Sequence, residues 1–144
     1  MNEKKKIVLV DLISALFILL FVYAAMVKLE DFQKFRIELG KSPILSSFPG
    51  FFALTVPLME VIIGLLLMIK RFQYIALYIS VSLMVMFSGY ILAILKFSSY
   101  IPCSCGGIIE NMSWGQHLIF NLAFVVFGII AILLYPYKSR SYLQ

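Results

Sequence analysis

Charge is what this chain has least of. Only 13% of its 144 residues are Asp, Glu, Lys or Arg, about half the share of an ordinary soluble domain, while 62% are hydrophobic. A globular domain in water is excluded, and the solvent must be lipid. Histidine occurs once, which excludes a bis-histidine haem, and no glycine-rich dinucleotide fingerprint is present. The net charge of +5 does not mark a nucleic-acid binder, because the basic residues sit at the ends of apolar runs and form no stripe of their own. At this length one domain is expected over residues 1–144, with no room for a soluble module beside the membrane part.

What the chain does have is apolar runs of bilayer-spanning length, about 20 residues each. They cover roughly residues 7–27, 52–69, 74–95 and 113–135, the last ending just before Pro136. In lipid every backbone polar group must be satisfied within the segment or by a closed sheet, and runs this long fit helices, not tilted strands of about ten residues. The expected fold is all-α, a four-helix transmembrane bundle. Lys4, Lys5, Lys6, Lys70, Arg71, Lys138 and Arg140 fall at one side of that bundle, and Lys28, Lys34, Arg36, Lys41 and Lys96 at the other. The first set lies tightly against helix ends, so the positive-inside rule places both termini in the cytoplasm and the two longer loops outside. A cleaved signal peptide is the alternative for the first run, which is longer than the usual apolar stretch of about 7 to 15 residues.

In the first outer loop Leu29, Phe32, Phe35 and Leu39 recur at helical spacing among charged residues, which predicts a short interfacial helix ending at Gly40, before Ser42 and Pro43. The second outer loop reads Ile101-Pro102-Cys103-Ser104-Cys105-Gly106-Gly107 and holds both cysteines of the chain. A disulfide across one intervening residue would constrain little chain and would be strained, and strained, exposed disulfides tend to be labile or catalytic. Three readings stay open for the pair: a redox-active dithiol, incidental or structural thiols, and a metal site completed by His117 and Glu110. Structural zinc sites usually have two to four residues between cysteines, which argues against the last.

Ser113 and Gln116 have capping-box spacing, so the fourth long helix is expected to start there. Trp114, His117 and Asn121 then share one face, with His117 roughly 6 Å and Asn121 roughly 12 Å below the helix start. Glu60 lies at a similar depth in the second long helix. An ionisable group near mid-membrane costs on the order of 3 kcal/mol, so Glu60 is a functional candidate, with Asn121 or His117 as its expected partner. The bland alternative is an interhelical hydrogen bond that ties two helices together. Tyr23 and Tyr90 could complete a polar pocket, and Trp114 reads either as an interfacial belt residue or as a quinone contact. Asp11 is expected to reach the cytoplasmic interface beside Lys4 to Lys6, leaving the inner half to lipid packing and basic anchors.

Several stretches together carry a resemblance: Ala25-Met26-Val27-Lys28-Leu29, Lys41-Ser42-Pro43-Ile44-Leu45, Val56-Pro57-Leu58-Met59-Glu60-Val61-Ile62-Ile63-Gly64-Leu65, the Cys103-Ser104-Cys105 loop, and Ser113-Trp114 through Asn121. They resemble the MauE/DoxX group of redox-associated membrane proteins, most specifically in the Pro-x-x-Glu-x-x-x-Gly of the second span and in the cysteine loop, which looks most like the MauE branch. The resemblance implies a role in methylamine utilisation, in maturing a disulfide-rich dehydrogenase, and the DoxX branch includes a subunit of a thiosulfate:quinone oxidoreductase. The expected activity is thiol–disulfide exchange at the outer face of a bacterial-type inner membrane. Cys103 and Cys105 would exchange electrons with a thioredoxin-like or secreted thiol protein. His117 would take the proton, Lys28 could lower a thiol pKa, and Glu60 completes the catalytic candidates. Trp114 and Asn121 are the candidate contacts for a quinone acceptor, with no covalently bound cofactor expected. A non-catalytic membrane scaffold for a redox partner and a metal-handling protein are the competing functions.

Overall fold

The computed structural model describes residues 1–97 and 113–136, which form five α-helices and no β-strand. They are α1 (Glu3–Glu30), α2 (Phe32–Lys41), α3 (Pro49–Met68), α4 (Gln73–Phe97) and α5 (Trp114–Leu133). The long helices α1, α3, α4 and α5 are each apolar and long enough to cross a bilayer, so the chain is an all-α, multi-pass membrane protein. The helices begin and end within a turn or so of the hydropathy runs. α1 overshoots its run at both ends, because a formed helix extends through flanking Lys residues at little cost. α3 begins with Pro49 in its first turn, where the missing N–H is no loss. Ser113 caps α5 through the expected reciprocal box, accepting from the Gln116 N–H at 3.3 Å while the Gln116 side chain accepts from the Ser113 N–H at 2.9 Å.

α1 packs chiefly on α3, and α4 on α5. Their shared core holds Val10, Ile13, Phe17 and Phe21 of α1, Ile63 and Leu67 of α3, Leu77 and Met84 of α4, and Ala131 of α5. Phe17 sits at its middle, 5.8 Å from the Phe21 ring and edge-on to Phe124 at 5.3 Å. Lipid tails are as apolar as these side chains, so the helices associate through close packing and buried hydrogen bonds. Gly128 of α5 is one such close approach: a Cβ there would run into Val81 of α4 and lie 3.2 Å from Phe17 Cζ. Buried Ser14, Ser80 and Ser88 satisfy their hydroxyls on the carbonyls of Val10, Ala76 and Met84, one turn back in the same helix.

The end of the bundle holding the α3–α4 turn is more structured than lipid packing and basic anchors. Lys6 pairs within its own turn, with Glu3 at 2.8 Å. The tight turn between α3 and α4 instead brings Lys70 Nζ to 2.7 Å from Asp11 Oδ1. Gln73, buried at the start of α4, donates through Nε2 to Ser14 Oγ at 2.9 Å and to Asp11 at 3.2 Å. This network fastens α1 to the α3–α4 hairpin.

The interfacial helix is present as α2. Asp31 caps it by accepting from the Lys34 N–H at 3.2 Å, and Phe35 and Leu39 are buried against Ala53 of α3 with Phe32, Leu45 and Phe52 around them. Leu29 departs from its expected place: it belongs to α1 and is exposed, because α1 runs on to Glu30 before the chain turns. Beyond α2, the buried Ser42 hydroxyl accepts from Tyr90 Oη at 2.9 Å, which ties this segment to α4.

Candidate functional site

On α3 the residues Ala53, Pro57, Glu60, Gly64 and Leu67 recur every three to four positions and are all buried, so the Pro-x-x-Glu-x-x-x-Gly pattern is the inward stripe of this helix. Small residues on the stripe allow close approach, with Gly64 facing Val22 of α1. Pro57 lacks the N–H that would otherwise bond the Ala53 carbonyl one turn before the carboxylate.

Glu60 is 1% exposed, and its partner is neither Asn121 nor His117: Lys28 Nζ donates to Glu60 Oε1 at 2.7 Å. The reason lies in helix geometry. Cα–Cβ bonds tilt toward the N-terminus of a helix, so a lysine in the last turn of α1 projects its stem back along the bundle toward mid-depth. Lys28 also lies 5.9 Å from the centre of the Phe35 ring on α2, so one ammonium links α1, α2 and α3. Isolated in hydrocarbon either charge would be costly; paired, they enter the membrane as a neutral unit. The pairing leaves something over: Glu60 Oε2 is buried and has no hydrogen-bond partner among the described residues. The same holds for Oε2 of Glu38 on α2, whose Oε1 accepts from Lys41 at 3.1 Å.

Around this pair lies a cavity of about 550 Å³, walled by aromatic and aliphatic side chains of all five helices. Its polar lining comes from Tyr23, Lys28, Glu38, Glu60, Tyr90, His117 and Asn121, with Trp114 beside His117 at a ring separation of 6.4 Å. The structure therefore brings Glu60, Trp114, His117 and Asn121 to one space, which Tyr23 and Tyr90 also line. Asn121 is buried there, whereas Trp114 and His117 are half-buried near the start of α5. Cys103, Cys105 and Glu110 lie outside the described residues. Among the described residues no three metal-ligating side chains cluster.

Glu38 and Ser42 are site-lining or site-bracing residues that the sequence reading missed. The signal was available in their spacing. Phe35, Glu38, Leu39 and Ser42 recur at three- and four-residue steps, which puts a carboxylate and a hydroxyl on the face that α2 turns to the bundle.

No curated protein and no solved structure matches this chain. A family model does, over residues 5–134 and so over both the Pro57–Gly64 stripe and the capped start of α5, and its description is methylamine utilisation protein MauE. The chain belongs to the MauE family.

Proposed function

We propose that this protein is a thiol–disulfide exchange protein of a bacterial-type inner membrane, acting in methylamine utilisation, with both termini cytoplasmic and Cys103 and Cys105 facing outward. The observation that carries the reading is the placement of α5. Its capped start, Ser113, is eight positions after Cys105 in the chain, and its first two turns deliver Trp114, His117 and Asn121 to the cavity that holds the Lys28–Glu60 pair.

In the exchange, a thiolate of a thioredoxin-like or secreted partner attacks the Cys103–Cys105 disulfide, forming a mixed disulfide and releasing one cysteine thiolate. The partner's second thiol attacks its own sulfur in the mixed disulfide, so the partner leaves oxidised, its two thiol protons end on Cys103 and Cys105, and the pair is left as a dithiol, two electrons richer. His117 is the relay: it accepts a proton from the attacking thiol and returns it to the departing cysteine thiolate. Restoring the disulfide requires an oxidant of two electrons and two protons, and a lipid-soluble quinone, reduced to its hydroquinone, is that class of oxidant. The apolar wall of the cavity fits such a molecule, with Trp114 and Asn121 as contacts.

Replacing either cysteine singly with Ser in cells tests the reading. The expected result is a partner trapped as a mixed disulfide that dissolves on reduction. Partner oxidation that continues with both cysteines replaced would overturn it, and stable co-purification of a partner with that double variant would favour a scaffold.

A further inference from the structure

We infer that the cavity around Glu60 is a binding site for the reduced, hydroquinone form of a lipid-soluble quinone, with a ring hydroxyl donating to Glu60 Oε2. The inference rests on the reading of the protein as a redox exchanger and adds which redox form is held and by which atom.

The chemistry of the ligand follows from what the site already satisfies. Glu60 Oε1 is occupied by Lys28 at 2.7 Å, while Oε2 is buried without a partner among the described residues. A buried carboxylate oxygen left unsatisfied is costly, so the missing element is a hydrogen-bond donor. The donor should be neutral. A carboxylate or phosphate headgroup would bring a second negative charge against Glu60, with Glu38 also lining the cavity, and a cation would duplicate the role of Lys28. The rest of the ligand should be apolar and flat, since the wall includes Phe21, Phe35, Phe52, Phe87, Phe120 and Trp114. A cavity of about 550 Å³ is in the range that holds a substituted ring and the beginning of a tail. A hydroquinone supplies the neutral O–H donor, the aromatic ring and the lipid solubility. Its second hydroxyl has the buried side-chain amide of Asn121 available on α5, as donor or acceptor. The oxidised ring has no hydrogen to give Oε2, so the site discriminates between the two forms.

The chain contains a single tryptophan, and it lines this cavity, which supplies the readout. The full chain carrying Cys103→Ser and Cys105→Ser, purified in detergent, is titrated with a decyl-substituted hydroquinone, its dimethyl ether and a long-chain aliphatic alcohol while Trp114 fluorescence is followed. The expected result is saturable quenching by the hydroquinone near one molecule per chain, with the dimethyl ether weaker by roughly tenfold or more, as loss of a bond to a charged acceptor implies. Glu60→Gln should abolish that preference. Equal affinity for the hydroquinone and its ether, tighter binding of the alcohol, or quenching that never saturates would overturn the inference. Using the cysteine-free variant keeps the two readings separable: saturable binding by it, together with no mixed disulfide trapped in cells by either single cysteine variant, would sink the exchange reading alone.

Discussion

Lys28 Nζ lies 2.7 Å from Glu60 Oε1, and these two residues, 32 positions apart in the chain, form an ion pair between α1 and α3 in which the carboxylate is only 1% exposed. The pair occupies the wall of the cavity to which α5 also contributes, so it couples the integrity of the bundle to the chemistry of the site.

The two partners should not be equally replaceable. Lys28 is near the end of α1 and 15% exposed, so when Glu60 is changed to Gln its ammonium can swing toward the membrane surface. Lys28→Met leaves Glu60 buried with no cation, a loss of about 3–5 kcal/mol for a broken buried pair. We expect Lys28→Met to lower stability in detergent more than Glu60→Gln, and the double variant to be less destabilised than the sum of the singles. Thermal unfolding of the four proteins measures the coupling; strict additivity would show that the pair contributes nothing.

Helix-to-helix approach is the next target. Gly128→Ala places a methyl group into Val81 and close to Phe17, in a core without room to yield. A loss of about 1–3 kcal/mol is expected. Gly89→Ala in α4, where nothing lies within 4 Å of the added carbon, should be neutral or slightly stabilising. Similar melting temperatures for both variants would contradict the packing described for α4 and α5.

The polar network at the other end makes a prediction about architecture alone. Gln73→Leu removes the donor to Ser14 Oγ and to Asp11, and should cost about 1 kcal/mol, since interhelical hydrogen bonds in membranes are modest. Thiol exchange by the folded protein should be unchanged. A loss of exchange at full stability would mean that this end participates in function.

Much of this molecule could be read from its residues. The spans were legible because an apolar run of bilayer length admits little other than a helix, and the start of α5 because Ser113 and Gln116 satisfy each other's backbone groups locally. Glu60 stood out as a charge in hydrocarbon, and its place in one cavity with Asn121 followed from depth counting. The partner of Glu60 did not follow, because depth was assigned from Cα positions while Lys28 reaches the carboxylate through a long stem directed back down α1. Asp11 lies at the end of the bundle expected for it, but its ion partner did not follow. Sequence proximity favoured Lys4–Lys6, but the α3–α4 turn delivers Lys70 from 59 positions away, counting from Asp11 to Lys70. Gln73 and Ser14 carry no charge, and only the packing of α4 on α1 shows that they meet.

The central claim is that an outward-facing Cys103–Cys105 pair cycles between disulfide and dithiol, and its most direct test is mass spectrometry of the native thiol state after alkylation of intact cells with a membrane-impermeant reagent. The account predicts no labelling of either cysteine until a mild reductant is added, then labelling of both without permeabilisation. Labelling that requires permeabilised cells, or free thiols that no oxidised partner or quinone converts to the disulfide, would contradict it.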